Sequence, residues 1–561
     1  MNKPSIQKVY PLTPMQEGML YHALMDPEAD AYFTQLELMI EGELNRQWLQ
    51  QSVDHLMQEH DILRTVFVHQ QMQRPRQVVY KERSAIIDFE DLRLMDAEES
   101  DRRVKRYKSE TRLAGFDLAK DVLLRIGLFQ IGEREYRLIW SNHHIIMDGW
   151  SMGILMKKLF GRYAAIRSQL AAIPENTRPY GDYIKWLQQQ DKEEADSFWE
   201  RRLEGFDRPT PLPQANTHEE KKSETYVIAE EITEWDEDTI SALTHIANQY
   251  QVTLPNVVLA LWGVLLARLN YTEDAVFGTV VSGRPPELRG IETMVGLFIN
   301  TIPVRVQSPQ DMTFAELLQS VQKQSLEAES YDFVPLPDIQ KASTVTDGLV
   351  NHLVAFENYP LDRELAQGGL EQQLGFSIEV ADSFEKTNYD FNLLVYPGPV
   401  LTVKMMYNAA VYSKSFISRT QQQLERLVRE LIRQPESRVH AVDLLKPEER
   451  AHIMKFNDTS SEYPSEQSLP SLLEQQVMQT PDHTAIVWAS GSLSYRELNA
   501  QANRLARVIR SRGLLPNQIV GVMLEKSPET VISIWAILKA GCAYLPIDHE
   551  WPEDRVRDVL E

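Results

Sequence analysis

The stretch Tyr136-Arg-Leu-Ile-Trp-Ser-Asn-His-His-Ile-Ile-Met-Asp-Gly-Trp-Ser151 constrains this chain more than any other. Tyr136 to Trp140 is apolar and β-prone, so it reads as a strand, and neighbouring side chains on a strand point to opposite faces. His143 and His144 therefore cannot share one role, since one can face a cleft while the other packs inward. Asp148 falls just past the strand, where a loop can aim it back at the scaffold. Gly149 beside it tolerates backbone angles that other residues resist. A helix-like pattern then runs from Met152 to Leu170. A strand-end histidine beside a glycine turn is a candidate general base. A surface His-His pair followed by an ordinary Asp-Gly turn fits the same letters. So does metal ligation by His-x-x-x-Asp, although no further Cys or His set stands nearby, and no metal is assigned.

Composition narrows the setting. A length of 561 residues exceeds one core and predicts three or four domain-sized units. A formal charge of −23 argues against general nucleic-acid binding, which needs a basic face, and against anionic membranes. The single cysteine, Cys542, excludes an intramolecular disulfide framework and fits a reducing compartment. The opening Met-Asn-Lys-Pro-Ser-Ile-Gln-Lys has no apolar signal core. The longest apolar run, Val257 to Ala267, is too short to span a bilayer and is followed by Arg268, so it reads as a buried helix. A soluble, cytoplasmic protein with neither nucleic-acid nor membrane partner is expected.

Local signals divide the chain. Thr13, Pro14 and Gln16 predict a capped helix start. Leu36, Leu38 and Ile40 alternate as in a strand, and Trp48 to Met57 forms an amphipathic helix. That helix runs into Glu59-His-Asp-Ile-Leu-Arg-Thr-Val-Phe67. Arg64 there lies between apolar neighbours, and a buried Arg needs a partner, for which Asp148 is the candidate. Strands are expected at Gln77–Tyr80, Leu123–Gln130 and Tyr136–His144. Pro209 to Lys222 reads as a linker or exposed crossing. A second half starts near Thr225, with helices at Glu237–Tyr250 and Leu254–Leu269. Strands follow at Asp274–Val281, Met294–Arg305, His352–Glu357, Leu374–Glu379, Phe391–Tyr396 and Val403–Tyr407. The helix Phe416–Leu431 closes the unit. The two halves share proportions without a residue-level repeat. After a polar linker the last hundred residues read strand, helix, strand, helix, strand, the pattern of a parallel α/β sheet, with a capping box at Ser494 and Glu497.

With these pieces in place, the chain resembles a condensation domain of a nonribosomal peptide synthetase followed by the start of an adenylation domain. The resemblance rests on Leu12–His22, Glu59–Phe67, His143–Ser151, Tyr180–Trp186, Val295–Arg305, Tyr331–Pro337 and Phe356–Pro360, in the family's order. The tail resembles the adenylation family at Leu493–Leu498 and Leu538–Asp548. It lacks the Ser/Thr/Gly-rich phosphate loop, and no carrier-domain serine motif is present. The implied fold is α/β (α+β): two chloramphenicol-acetyltransferase-like lobes in a V, plus an incomplete α/β adenylation subdomain that is inactive as cut. The implied division is 1–11 as a candidate acceptor docking element, 12–175 as the N-lobe, 176–445 as the C-lobe, 446–465 as linker and 466–561 as the adenylation fragment. The short segment before the first motif resembles the natural start of a subunit whose donor arrives on another protein; a chain trimmed at the domain edge fits equally.

The resemblance implies a tunnel between the lobes that admits two phosphopantetheine arms, supplied by an upstream donor carrier protein and a downstream acceptor carrier protein. No cofactor is held covalently by this chain. His144 is the tunnel-facing residue that accepts the attacking amine's proton, and His143 is the inward one. Asp148 points away from the tunnel and pairs with Arg64. Gly149 allows close backbone approach. Ser282, Gly283, Arg284 and Pro285, running to Pro286, form a loop that bridges the lobes. Asn300 and Arg305 are structural supports on a lobe-joining strand. An epimerisation domain shares the histidine motif but normally follows a carrier. Heterocyclisation would need an Asp-x-x-x-x-Asp motif, which is absent. An acyltransferase using coenzyme A would not need the appended fragment, and a non-catalytic docking platform would not need the histidine.

Overall fold

The computed structural model describes residues 5–25, 32–70, 72–170, 177–213, 226–345, 348–357, 373–385 and 387–560. The expected linker at 209–222 and the motif ending at Pro360 lie partly outside these residues, as does the beginning of the 1–11 segment. The described chain falls into two compact units, Met1–Leu445 and Lys446–Glu561.

The first unit holds two large cores and two smaller clusters. The elements of its first half are β1 (Ile6–Pro11), α1 (Pro14–Met25), β2 (Phe33–Gly42), α2 (Arg46–Glu59), β3 (Thr65–Val68), β4 (Arg76–Tyr80), β5 (Ile87–Asp91), α3 (Ala97–Ala114), β6 (Leu124–Gln130), β7 (Glu135–His143), α4 (Gly149–Arg167), α5 (Tyr180–Leu187) and α6 (Lys192–Leu203). The Thr13 amide donates to Gln16 Oε1 at 2.9 Å and the Gln16 amide to Thr13 Oγ1 at 3.3 Å, so the expected capping box is formed. The second half adds β8 (Ile228–Trp235), α7 (Glu237–Tyr250), α8 (Leu254–Leu269), β9 (Asp274–Val281), β10 (Asn300–Gln307), α9 (Phe314–Ala328), α10 (Leu336–Lys341), β11 (Leu353–Phe356), β12 (Phe376–Phe384), β13 (Phe391–Tyr396), β14 (Leu401–Asn408) and α11 (Lys414–Arg433). The expected Met294–Arg305 strand begins only at Asn300; a 3₁₀ turn at Ile291–Thr293 and an extended stretch precede it.

One strand changes sides. The second half builds the mixed sheet β10-β9-β11-β13-β14-β8, but β12 is absent from it. β12 instead edges the first half's sheet, in the order β12-β2-β7-β6-β5, and pairs antiparallel with β2. A charge cluster, buried at Glu37 and Lys108 and exposed at Asp382, fixes it there. Lys108 of α3 donates to Glu37 of β2 and to Asp382 of β12, both at 2.6 Å, and Arg137 of β7 donates to Glu37 at 2.5 Å. The first core likewise includes Tyr180, Leu297, Phe298 and Phe376, all beyond residue 175. The expected boundary at 175 therefore separates chain segments rather than packed bodies.

The second core is built around α8, whose residues from Asn256 to Ala267 are all buried. This is the run read as a buried helix. A Cβ on Gly263 would sit 2.4 Å from Val306 Cβ, so glycine lets α8 lie directly on β10. Among the described residues no single helix is long and apolar enough to cross a membrane. His352 sits in this core, its Nε2 accepting from Trp262 Nε1 at 2.8 Å, its ring stacked on Phe277.

The second unit contains α12 (Pro447–Phe456), α13 (Leu469–Gln479), β15 (Thr484–Trp488), β16 (Gly491–Ser494), α14 (Tyr495–Ser511), β17 (Ile519–Val522), α15 (Pro528–Ala540), β18 (Ala543–Pro546) and α16 (Glu553–Leu560). The capping box at Ser494 and Glu497 is present. The expected single parallel sheet is not. β15 pairs antiparallel with β16, a strand the sequence reading missed, and only β17 and β18 are parallel. A hairpin turn at Ala489-Ser490 returns the chain at once, so β15 finds its partner locally. The stretch read as linker opens with α12.

Burial holds the His352 imidazole down to about 3. The unfolded chain takes up that proton near 6.5, so this group's folded pKa is depressed and stability falls as pH drops from about 6.5 toward 3, by about 1.4 kcal/mol per pH unit. His352→Gln is expected to flatten the acid limb by one proton's slope. Urea unfolding at pH 7 and pH 5 measures it, and an unchanged slope contradicts the assignment.

Candidate active site

The histidine pair stands where β7 ends. Tyr136, Leu138 and Trp140 face the first core, and Ile139 faces the opposite side against Val104 and Phe129. His143 is the last strand residue, paired with Phe33 of β2. Its Nδ1 accepts the Ile145 amide at 3.1 Å and so caps the 3₁₀ turn His144–Ile146. Burial, reinforced by the neighbouring His144, holds the His143 ring down to about 3. It is the inward, neutral histidine.

His144 lies past the strand, in that turn. Its amide donates to the Tyr32 carbonyl at 2.8 Å. Its side chain is 9% exposed, and Nε2 lies 3.2 Å from Oε1 of Glu385, whose side chain is 49% exposed. Nδ1 is buried without a hydrogen-bond partner among the described residues. Burial alone would lower the pKa of this ring. The hydrogen bond and charge of Glu385, with Asp148 behind, outweigh burial and hold it above its ordinary value. Glu385 follows directly on β12. Phe384 of that strand pairs with Gln35, and Phe33 of β2 pairs with His143, so the crossing strand delivers the carboxylate to this end of the sheet. Sequence reasoning missed Glu385, because its strand signal does not say which sheet the strand joins.

Asp148 is the N-cap of α4. Its Oδ1 accepts the Ser151 amide at 2.8 Å, and its Oδ2 accepts the Phe298 amide at 3.0 Å. Arg284 Nη2 completes the set at 3.3 Å from Oδ1 and also donates to Ser151 Oγ at 3.0 Å. The expected Arg64–Asp148 pair is therefore a correction: the partner of Asp148 is Arg284. Arg64 is buried elsewhere, donating to the carbonyls of Met57 at 2.6 Å, Gln58 at 3.3 Å, Tyr80 at 2.5 Å and Lys81 at 2.9 Å. The last carbonyls of α2 have no helical partners and carry the negative end of the helix dipole, so a guanidinium is satisfied there without a carboxylate. Glu59, at the end of the same helix, receives Lys158 Nζ of α4 at 2.5 Å, so α2 and α4 are still joined by charge.

Gly149 is the first residue of α4 and is not among the positive-φ glycines, so the unusual backbone angle expected there is not used. The glycine that needs it is Gly283, with φ +57°, where a Cβ would lie 1.9 Å from the Phe298 carbonyl oxygen. Ser282 and Pro286 are exposed, whereas Gly283 is buried. Arg284 also donates to the carbonyls of Ile291 at 2.6 Å and Met294 at 2.9 Å and lies over the Phe298 ring. This loop thus joins the second half's β9–β10 connection to α4 of the first. Gly283, Asn300, Thr13, Tyr183 and Asp332 line a small cleft beside that connection; His144 does not line it. Asn300 donates to the carbonyls of Asp332 at 2.6 Å and Val334 at 2.7 Å. Arg305 is held by Asp274 at 2.7 Å. Among the described residues no group of three His, Cys, Asp or Glu is placed to hold a metal ion.

These features define a two-part α/β domain with a histidine turn at the end of one sheet, closed by a strand from the other half. Residues 6–454 match the family model described as Condensation domain, and residues 473–561 match the model described as AMP-binding enzyme. The chain belongs to the condensation-domain family, with a short AMP-binding segment behind it. Surfactin synthase subunit 2 of Bacillus subtilis (strain 168) is 49% identical over 562 residues, which is 100% of this chain and 16% of that protein. Tyrocidine synthase 3 of Brevibacillus parabrevis is 42% identical over 566 residues, 99% of this chain and 8% of that protein. The chain thus spans a small part of these relatives. The nonribosomal peptide synthetase FmoA3 (S1046A) superposes with a TM-score of 0.74 at 21% identity, covering 100% of this chain and 57% of that one. The first condensation domain of the calcium-dependent antibiotic synthetase, in complex with substrate analogue 2a, superposes with a TM-score of 0.62 at 19% identity, covering 78% and 100%. At these identities the structures show a shared fold.

Losing either member of a buried ion pair costs about 3–5 kcal/mol. Asp148→Ala and Arg284→Ala are each expected to fall in that range. Their double variant should be clearly non-additive, whereas Asp148→Ala with Arg64→Ala should add within about 0.5 kcal/mol. Urea unfolding of the two cycles decides between the partners.

Proposed function

We propose that residues 6–454 form an amide bond between a donor peptidyl or aminoacyl thioester and the amine of an acceptor aminoacyl thioester. Both substrates would ride on phosphopantetheine arms, one on an upstream donor carrier protein and one on a downstream acceptor carrier protein. The family match supports the reaction class. The observation that carries the site is His144, set past a strand end with Nε2 directed at a half-exposed carboxylate. Neither nucleic acid nor membrane enters this reading, and a cytoplasmic setting accords with it. Residues 466–561 are read as the beginning of an adenylation domain, and no activity is assigned to them.

In this reading His144 Nε2 orients the attacking amine and takes its proton. The amine nitrogen bonds to the donor carbonyl carbon, the carbon–sulfur bond breaks, and the donor arm leaves as a thiol. Holding the two thioesters together lowers the barrier by roughly 7–11 kcal/mol, while a positioned base adds roughly 10²–10⁴-fold. His143 holds the turn, Asp148 with Arg284 fixes the start of α4, and Gly149, the first residue of that helix, allows close backbone approach to the reacting thioester. The loop from Ser282 to Pro285, with Asn300 and Arg305, keeps the two halves in register. The segment 1–11 is proposed as an acceptor docking element; its described part includes β1, an edge strand paired with β4.

The test is a condensation assay with donor and acceptor carriers loaded with L-aminoacyl groups and the product read by intact mass. Wild type is expected to yield the dipeptidyl thioester, and His144→Ala to lose about 10²–10⁴-fold in rate. An unchanged dipeptide rate removes His144 from the mechanism, and no product from wild type removes the proposed reaction.

A further inference from the structure

A base must be neutral to accept a proton, yet the resting geometry makes His144 a donor to a carboxylate. Glu385 is ionised beside it. Loss of water works against that charge, but the hydrogen bond and charge of His144 hold Glu385 below the usual carboxylate range. The titratable groups around His144 are the adjacent His143 of β7, Tyr32 just before β2, Asp148 at the start of α4 and Glu385 just past β12; the Tyr32 carbonyl accepts the His144 amide, and the Tyr32 ring lies against His143. His143 is neutral, and burial pushes the Tyr32 phenol up to about 12, so neither carries charge near neutral pH. Asp148 is already taken by Arg284 and two backbone amides. Glu385 is the carboxylate in direct contact with the ring. Among the described residues it has no second cationic partner, and half of its side chain remains open to solvent.

The acceptor arrives as a cation. The α-amine of an aminoacyl thioester is protonated until it reacts, so it enters as an ammonium group that needs an anion. We propose that Glu385 receives this ammonium group, and that its arrival exchanges one cation for another on the same carboxylate and frees His144 to become the base. This rests on the acceptor chemistry proposed above and adds the residue that recognises its amine. With the ammonium on Glu385, the imidazolium loses its stabilising partner and releases its proton to solvent. Neutral His144 Nε2 then takes a proton from the ammonium. The amine bonds to the donor carbonyl carbon, and the carbon–sulfur bond breaks. The second proton leaving nitrogen goes to the departing thiolate by way of His144. The sum is one ammonium and one thioester giving one amide, one thiol and one proton. Without an acceptor the ring stays charged, so it cannot activate water against the donor thioester.

Two measurements on the full chain read this without turnover. The first is an NMR titration of ring-labelled histidine, with the His144 signal identified by its loss in His144→Gln. In Glu385→Gln the His144 midpoint is expected to fall below its wild-type position, and in Glu385→Asp to lie between the two. The second is calorimetric binding of alanyl-aminopantetheine amide against its propionyl counterpart, which differs only in the amine. A charge-assisted hydrogen bond predicts about tenfold tighter binding of the amine-bearing ligand to wild type. That preference should vanish in Glu385→Gln and persist in His144→Ala. Thermal melting of each variant confirms that it is folded. An unmoved His144 midpoint in Glu385→Gln, or an amine preference that survives this substitution, overturns the proposal. A wild-type dipeptide rate in His144→Ala would sink the base assignment alone, since neither readout here depends on catalysis.

Discussion

The Asp148 carboxylate is the point on which the site depends. One group caps α4, accepts the amide of Phe298 and receives Arg284, so a single buried charge binds the turn after β7 to the connection between β9 and β10. A buried carboxylate is tolerable only with all of its acceptor capacity used, and here each oxygen is used. If that set is broken, α4 loses its N-cap and the turn carrying His144 loses its charged link to the second half, leaving the bonds of Ser151 and of the Asp148 amide to the Gly296 carbonyl. The histidine motif is thus a piece of tertiary structure as much as a run of adjacent residues.

The second constraint is the exchange of β12. A strand from one half completes the other half's sheet, and Lys108 holds it by bridging Glu37 and Asp382. Sheet hydrogen bonds and the Lys108 bridge together make this attachment hard to slide, because a one-residue slip would turn Asp382 to the opposite face. The exchange has a chemical consequence: it brings Glu385 to Nε2 of His144. The hydrogen bond and charge that raise the His144 pKa against the effect of burial therefore come from a residue of the other half of the fold.

Some of this was legible in the chain alone because the causes are local. Capping boxes at Thr13 and Ser494 depend on atoms three residues apart. The buried helix around Trp262 follows from an unbroken apolar run. Other features were not legible. Asp148 was expected to meet Arg64, and finding Arg284 there instead requires knowing which loop folds beneath α4. Arg64 looked as if it needed a carboxylate, whereas the free carbonyls at the end of α2, with those of Tyr80 and Lys81 at the end of β4, satisfy it. Gly149 looked like the strained glycine, whereas the left-handed angle is at Gly283.

The sequence by itself determined that a strand runs up to the histidine pair, that a helix follows, and that the ordered motifs resemble one family, because periodicity and motif order are written in neighbouring residues. Tertiary structure alone decided which guanidinium meets Asp148, which sheet β12 joins, and that Glu385 faces His144. Those outcomes depend on packing between segments far apart in the chain, and a strand's pattern of apolar and polar residues specifies its faces without specifying its neighbours.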